Sequence, residues 1–293
     1  MIKGTTKITG VFGNPVSHSL SPIFHNAAFQ YLSLDFVYIP FEVKPTFLKK
    51  GIEAIKFFNF KGVNLTIPHK KNAFSLVDEI DEEAKLLKVI NTIKNEDGKL
   101  TGYITDGKGF VRSIKEDGKM NLENKTIYLF GAGGTAWAIS GCLIKENIKG
   151  IFITNRTLEK AILLKKHLTK NFNFNNVEVI PFEKRNDINF DEIDVIINTT
   201  SVGMKEKDPI LIEEKFIKKK FFIYDVVYNR KTDLIKTAEK LGLPYVNGLS
   251  MLVYQGAISF EIWTGEKAPV DIMKKSLYNF LKNGEKNEIF NKW

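Results

Sequence analysis

The sequence of 293 residues is poor in the side chains that build disulfide frameworks and metal centres. Its one cysteine, Cys142, cannot form an intramolecular disulfide. Its four histidines are scattered, with no pair at the spacing of a helical metal site, so we expect no metal. No apolar stretch approaches the length that spans a bilayer, and the first residues lack the apolar run of a signal peptide. We therefore expect a cytoplasmic protein that does not enter membranes.

The surplus of basic residues does not point to nucleic acid. Lysine and arginine outnumber aspartate and glutamate by 43 to 34, which gives a formal net charge of +9. The lysines are spread along the chain, with one run at 218–220, and no basic face is interleaved with aromatic residues. Most of this charge is expected on solvated faces, and a basic balance also suits small anionic ligands. We expect a small-molecule substrate as partner and no nucleic acid.

Length and pattern predict an α/β protein with two domains. Up to residue 105, apolar strands alternate with helices, Ser21 and Pro22 open the first helix as cap and first residue, and 96–99 forms a hairpin turn. The last helices, over 249–263 and from Pro269, could complete either domain, and the polar segment 283–287 is expected to fray. A doubly wound, mainly parallel sheet is predicted from strands near 127–130, 151–154, 177–180, 195–198, 222–226 and 245–247.

A glycine-rich turn between an apolar strand, 128–130, and an amphipathic helix is the most informative segment. Gly131 permits the tight turn, Gly133 lets the backbone approach a pyrophosphate, and Ala136 allows the helix to pack closely on the strand. The first N–H groups of that helix would bind phosphate oxygens. This context predicts a dinucleotide site of the Rossmann type.

The end of the next strand indicates which dinucleotide binds. NAD sites usually end this strand with an acidic residue for the ribose 2′-hydroxyl, whereas an arginine suits the 2′-phosphate of NADP. Arg156 stands at the strand end, Lys160 follows one turn later, and the nearest acid, Glu159, comes too late. We therefore predict NADP(H) as the cofactor.

Hydride reduction of a ketone leaves an alkoxide that must be protonated, and Lys70 is the candidate proton donor. It follows a buried strand that Pro68 stops, at the strand end where open α/β sheets place their sites. A lysine that is partly desolvated at such a position can give and take a proton near neutrality. The ordinary alternative for a lysine beyond a strand is a solvated side chain.

Polar residues at other strand ends could bind the substrate. Ser19 and Ser21 could share one anionic group near a helix N-terminus, although Ser21 by itself is typical of a helix cap. Asn91 could donate to and accept from adjacent hydroxyls. Asp106 could accept from a substrate hydroxyl and tune Lys70 electrostatically, or it could simply cap the helix that follows.

Together these motifs resemble those of the shikimate dehydrogenases, which reduce 3-dehydroshikimate with NADPH in chorismate and aromatic amino-acid biosynthesis. The resemblance covers nearly the whole chain and keeps the family's order. The matching segments are 13–22, 64–70, 90–92, 105–107, 131–135, 155–157, 198–204, 225–228 and 248–255.

The resemblance implies a role for each matching residue. Ser19 and Ser21 would hold the substrate carboxylate, and Lys70 would be catalytic with Asp106 as its partner. Further substrate-binding residues would be Thr66, Asn91, Asp106, Tyr228 and Gln255. Cofactor-binding residues would be Gly131, Ala132, Gly133, Gly134, Thr135, Asn155, Arg156, Thr157, Lys160, Thr200, Val226, Gly248 and Met251.

The resemblance also implies the domain arrangement. Residues 1–105 plus 248–293 would form an α/β substrate-binding and catalytic domain. Residues 106–247 would form a Rossmann-like, doubly wound NADP-binding domain, with a cleft between the two domains. The family fold thereby assigns the last helices to the first domain.

Three residues depart from the family pattern. Ile104 stands where the family often has an asparagine two residues before the aspartate, so one polar contact is missing or replaced. Trp137 stands where an arginine is commoner, so any phosphate contact from that arginine is absent. Lys160 stands where a second arginine often grips the 2′-phosphate, and a point charge does so less selectively.

Two other functions stay open at this point, and so does a homodimer. A quinate/shikimate dehydrogenase with relaxed cofactor use would carry the same residues. A non-catalytic NADP-sensing protein would keep the cleft for ligand-controlled binding, although the intact Lys70 and Asp106 argue against that function.

Overall fold

The computed structural model describes residues 2–285. The chain divides into two compact units, Met1–Thr105 with Val253–Trp293, and Asp106–Leu252. The second boundary falls inside a helix, Gly248–Thr264. The end of the chain expected to fray, 283–287, is helical up to Glu285 and otherwise lies outside the described residues.

The first unit is built on a mixed sheet. Its strands are β1 (Lys7–Gly13), β2 (Phe36–Glu42), β3 (Gly62–Leu65), β4 (Glu79–Ile80), β5 (Thr92–Glu96) and β6 (Lys99–Tyr103). They lie in the order β2-β1-β3-β5-β6-β4. Strands β1, β2 and β3 are parallel, whereas β5 runs antiparallel to β3 and β6. The hairpin predicted at 96–99 joins β5 to β6, and its Gly98 has a φ of +87°.

The helices of the first unit are α1 (Ser21–Tyr31), α2 (Leu48–Phe57), α3 (Glu82–Leu87), most of α8 (Gly248–Thr264) and α9 (Val270–Glu285). Helix α1 packs against α9. The prediction that Ser21 caps α1 is wrong, because Ser21 is the first helical residue and Leu20 occupies the cap position. The Ser21 N–H donates instead to the Ser19 hydroxyl, at 3.4 Å.

One polar side chain lies deep in the core of the first unit. His25 of α1 is fully buried, and its ring stacks on Tyr38 with a centroid separation of 4.3 Å and an interplanar angle of 6°. Neither ring nitrogen has a hydrogen-bond partner within the described part of the chain. Burial lowers the pKa of His25 to about 3, so the ring is neutral at physiological pH.

The second unit is a doubly wound α/β fold. Its strands are β7 (Thr126–Phe130), β8 (Gly150–Asn155), β9 (Val177–Pro181), β10 (Val195–Asn198), β11 (Phe222–Asp225) and β12 (Tyr245–Asn247). All pair in parallel, in the order β12-β11-β10-β7-β8-β9. The helices are α4 (Asp106–Glu116), α5 (Gly134–Lys145), α6 (Leu158–Phe172) and α7 (Asp233–Leu241). The predicted fold class and parallel sheet are confirmed.

The parallel sheet explains why its strands are continuous apolar runs in the sequence. Every residue of β7, β10 and β11 is buried, since apolar clusters cover both faces of the sheet. The strand order reverses between β7 and β10, which creates a topological switch point at their carboxyl ends. Over residues 2–285, no helix has the length and apolar character needed to cross a membrane.

Candidate active site

The glycine-rich turn in the second unit lies at the switch point, directly after β7. Gly131 has a φ of +112°, and a Cβ there would stand 2.4 Å from the Thr199 hydroxyl oxygen. Gly133 is the N-cap of α5 and is exposed, and a Cβ on it would meet nothing within 4 Å. Backbone therefore lies open at a helix N-terminus, and a phosphate can approach its N–H groups.

The end of β8 is tied to this turn by a side chain. Asn155 accepts a hydrogen bond from the Ala132 N–H at 3.2 Å and donates to the Thr157 carbonyl at 2.8 Å. Arg156, directly after β8, and Lys160, in the first turn of α6, are both exposed. The segment predicted to recognise the 2′-phosphate is thus fixed against the segment predicted to hold the pyrophosphate.

The loops after β10 and β11, and helix α8 directly after β12, leave the sheet at the same edge. Thr199, which follows β10, donates its hydroxyl to the Phe130 carbonyl at 2.7 Å. Gly248 lies against the loop after β11, since a Cβ there would stand 2.0 Å from the Val226 carbonyl oxygen. Met251 is buried in the apolar cluster to which Val226 packs. The residues predicted for the nicotinamide side therefore lie on two adjoining loops and the first turn of α8, all within one unit.

In the first unit, Ser21, the first residue of α1, is buried. Burial raises the pKa of the Tyr38 hydroxyl, and the Ser21 side chain opposes that shift. Asn26 of the same helix clamps the backbone of Tyr38, accepting from its N–H at 2.8 Å and donating to its carbonyl at 2.9 Å. Helix α1 is therefore fixed to β2 at the level of Ser21.

The side-chain amide of Asn64, on β3, connects Tyr38 of β2 to strand β5 and helix α8. It accepts from the Tyr38 hydroxyl at 2.8 Å and donates to the Ser259 and Thr92 hydroxyls at 2.9 and 3.0 Å. Asn91 lies next to Thr92 and donates to the Thr105 hydroxyl at 2.9 Å and to the side-chain amide oxygen of Gln255 at 3.4 Å. A continuous buried network thus brings together two predicted substrate residues, Asn91 and Gln255.

Thr66 and Lys70 lie on the loop after β3. The Thr66 N–H donates to the Phe12 carbonyl at 2.9 Å, and the Ile90 N–H donates to the Lys70 carbonyl at 3.0 Å. The His69 ring between them hydrogen-bonds the Val43 carbonyl at 2.7 Å, and burial lowers the pKa of that imidazole. These bonds fix the backbone of the half-buried Lys70 next to the segment that carries Asn91.

The remaining predicted substrate residues belong to the second unit. Asp106 is buried and is the first residue of α4, so it begins that helix rather than preceding it as a cap. Tyr228 follows β11 and is 37% exposed. Within residues 2–285, no group of three or more histidine, cysteine or acidic side chains is arranged to hold a metal ion.

Two buried polar residues of these clusters, Tyr38 and Ser259, were missed by the sequence interpretation. Each has a partner on a distant segment, so no local pattern marks it. Asn198 and Asp225 lie within matching segments but received no role there, although both are buried polar residues that end apolar runs.

Comparisons with known proteins cover nearly the whole chain. Protein-family models match residues 11–93 (Shikimate dehydrogenase substrate binding domain), 113–231 (Shikimate / quinate 5-dehydrogenase) and 248–278 (Shikimate 5'-dehydrogenase C-terminal domain). The chain is 41% identical over 282 residues to a shikimate dehydrogenase (NADP(+)) of Alkaliphilus oremlandii, covering 95% of this chain and 98% of that protein.

Solved structures show the same likeness. A crystal structure of a shikimate dehydrogenase in complex with NADP⁺ has a TM-score of 0.89 at 38% identity, covering 95% of this chain and 97% of that chain. The shikimate 5-dehydrogenase of Listeria monocytogenes, in complex with shikimate and NAD, has a TM-score of 0.87 at 36% identity. The coverage in that case is 94% of this chain and 98% of the other.

The two glycines of the turn should respond differently to alanine. We expect Gly131→Ala to cost about 1–3 kcal/mol of unfolding free energy, because a side chain there is strained and collides with Thr199. Gly133→Ala should stay within about 0.5 kcal/mol of wild type, since its φ of −87° and its surroundings accept a methyl group. Urea denaturation of both variants measures the difference, and equal midpoints would contradict this account of the turn.

Proposed function

Because this chain belongs to the shikimate dehydrogenase family, we propose that it catalyses the reversible reduction of 3-dehydroshikimate to shikimate with NADPH, with Lys70 as proton donor. It is an oxidoreductase that acts on a CH–OH group, and its curated relatives use NADP. The resemblance drawn from its motifs is confirmed. The reaction belongs to chorismate and aromatic amino-acid biosynthesis. The observation that carries the proposal is the Lys70 loop, fixed by hydrogen bonds beside Asn91.

The second unit fits a phosphorylated dinucleotide. The open backbone at Gly133 would hold the pyrophosphate together with Gly131, Ala132, Gly134 and Thr135. The exposed Arg156 and Lys160, with Asn155 and Thr157, would bind the 2′-phosphate, since guanidinium and ammonium groups pair with phosphate oxygens. On the nicotinamide side we propose Thr200, Val226, Gly248 and Met251.

The first unit supplies most of the proposed substrate contacts. Ser19 and Ser21 lie near the N-terminus of α1, whose dipole favours an anion, and we assign them to the substrate carboxylate. Thr66, Asn91 and Gln255 would orient the hydroxyl and carbonyl oxygens. Asp106 and Tyr228 of the second unit complete the proposed set.

The bound cofactor supplies a hydride for the C3 carbonyl carbon of 3-dehydroshikimate. As the carbonyl becomes an alkoxide, the Lys70 ammonium donates a proton to that oxygen and stabilises the developing negative charge. Asp106 would accept a hydrogen bond from a neighbouring substrate hydroxyl and offset the positive charge of Lys70. In the reverse direction the neutral Lys70 amine removes the proton from the shikimate hydroxyl.

The domain assignment belongs to the same proposal. Residues 1–105 with 248–293 would bind the substrate and residues 106–247 the cofactor. We also propose a cytoplasmic location, in keeping with a single cysteine, and a homodimer as the assembly. A quinate/shikimate dehydrogenase with relaxed cofactor use is the alternative, favoured by Lys160, a point charge at the predicted 2′-phosphate position.

The first test is NADP⁺ reduction with shikimate, followed at the nicotinamide absorbance. We expect turnover with shikimate and NADP⁺, and much weaker turnover with NAD⁺, because Arg156 suits the 2′-phosphate. Quinate with NADP⁺ serves as the substrate control. Comparable rates on quinate would favour the alternative enzyme. NADP⁺ binding with no turnover on either substrate would indicate the non-catalytic sensing protein instead.

Lys70→Ala should lower kcat by about 10²–10⁴, the usual contribution of general acid–base catalysis, with little change in the KM for shikimate. Lys71→Ala is the matched control, since it removes the exposed lysine next in the chain. Steady-state kinetics of both variants measure the effect. Full turnover in Lys70→Ala would show that another group moves the proton.

Arg156→Ala should weaken NADPH far more than NADH. Loss of one charge-assisted contact to the 2′-phosphate predicts about a ten- to hundred-fold increase in the Kd for NADPH, while NADH has no such phosphate to lose. Lys165→Ala, an exposed lysine further along α6, serves as control. Fluorescence titration with both cofactors gives the ratio, and an equal loss for both would refute the proposed clamp.

A further inference from the structure

Two buried polar residues face each other at the carboxyl edge of the parallel sheet. Asn198 ends β10 and Asp225 ends β11, and the strand register pairs these two residues. Both are fully buried, and the Asn198 amide donates to a carboxylate oxygen of Asp225 at 2.9 Å. Neither residue belongs to the proposed catalytic or cofactor-binding set, so the proposed mechanism gives the pair no role.

Asn198 holds the loop that follows its own strand. Its amide oxygen accepts from both the backbone N–H and the hydroxyl of Thr200, at 2.9 and 2.7 Å. Its amide nitrogen also donates to the Val202 carbonyl at 3.1 Å. The loop is closed by a bond from the Val202 N–H to the Thr200 hydroxyl at 3.0 Å. Every polar atom of this one side chain is thereby engaged.

Asp225 holds the next loop in the same way. The oxygen that accepts from Asn198 also accepts from the Val227 N–H at 3.0 Å, and the other oxygen accepts from the Thr232 hydroxyl at 2.7 Å. Thr232 is in turn the N-cap of α7. These partners are all uncharged, and burial raises the pKa of Asp225 while its hydrogen bonds oppose that shift.

The backbone groups around the pair dictate which residue is the amide. At 198 the side chain must accept from Thr200 and donate to the Val202 carbonyl, and only an amide does both. At 225 one oxygen receives two donors, so an acceptor is required there. The other oxygen of Asp225 faces a hydroxyl, which can donate or accept.

We propose that Asn198 and Asp225 are the positioning residues that join the two nicotinamide-side loops, 199–204 and 226–228, into one cofactor-binding surface. The inference rests on the proposed function, since Thr200, Val226 and Tyr228 are its ligand-contacting residues. The pair acts through the loops and touches neither cofactor nor substrate. Its specific property is polarity: an amide on β10 that donates to an acceptor oxygen on β11.

The test exchanges the polarity of each residue separately and measures NADPH binding by fluorescence. Asn198→Asp places two carboxylates side by side and turns an acceptor toward the Val202 carbonyl, so the Kd for NADPH at pH 8 should rise about ten-fold or more. Asp225→Asn should bind NADPH nearly as wild type, because its amide nitrogen can face Thr232 and leave the acceptor in place.

The pH dependence of the Kd tests the repulsion between the two carboxylates. In Asn198→Asp, a proton taken up as the pH is lowered turns one carboxylate into a donor for the other. The ratio of variant to wild-type Kd should therefore fall as the pH is lowered but stay above one, because the Val202 carbonyl still meets an oxygen. A ratio that rises as the pH is lowered would overturn the inference.

Asn95 offers a matched control in the first unit. It too is buried, donates to the Phe60 carbonyl at 2.8 Å and accepts from the Gly98 N–H at 2.9 Å. Asn95→Asp should lose stability yet bind NADPH as wild type. An Asn198→Asp variant that binds NADPH normally at pH 8, or an Asn95→Asp variant that loses binding equally, would refute the role of the pair.

A double variant covers the case in which Asn198→Asp does not fold at pH 8. Asn198→Asp with Asp225→Asn carries a single carboxylate, so the repulsion is removed while Val202 still meets an acceptor. We expect it to bind NADPH more weakly than Asp225→Asn alone, and equal binding would overturn the inference. Failure of the wild-type protein to bind NADPH would refute the proposed function instead.

Discussion

The parallel register of the second sheet is the constraint on which its site depends. Because β7, β8, β10 and β11 run in one direction, every loop that follows them leaves at one edge. Backbone groups at that edge have no further strand to pair with, so side chains must satisfy them. Asn155, Asn198 and Asp225 do so, and each bond also fixes a loop that a dinucleotide would contact. The same hydrogen bonds thus satisfy backbone groups beyond the strand ends and hold the loops in place.

The fold was predictable where burial leaves a continuous pattern in the sequence. Strands β7, β10 and β11 are buried on both faces, so their apolar runs marked them without knowledge of their neighbours. The start of α1 was not predictable in this way. Serine favours the cap position of a helix, but Ser21 is itself helical. Its side chain interacts with Tyr38, and its backbone N–H donates to the Ser19 hydroxyl. That exchange depends on a strand seventeen residues away in sequence, which no local rule includes.

The candidate site likewise has parts that the sequence predicts and parts that it does not. Short motifs such as the glycine turn, the Lys70 loop and Arg156 could be identified because their chemistry lies within a few consecutive residues. The residues that hold them in place could not, since hydrogen bonding joins Asn64 to Ser259 across 195 positions. A side chain that supports a site through a distant partner is of the same residue type as other buried polar residues. Only the folded structure shows its role.

The buried imidazole of His25 makes the stability of the first unit depend on pH. Between pH 6.5 and about 3 the unfolded chain binds a proton at this position that the folded chain refuses. Acidification therefore favours the unfolded chain. The native state has its full stability with respect to this group only above the ordinary pKa of histidine. Because its ring stacks on Tyr38 and packs at a tilt against Phe24, protonation of His25 would disturb the packing of α1, the helix that carries Ser21.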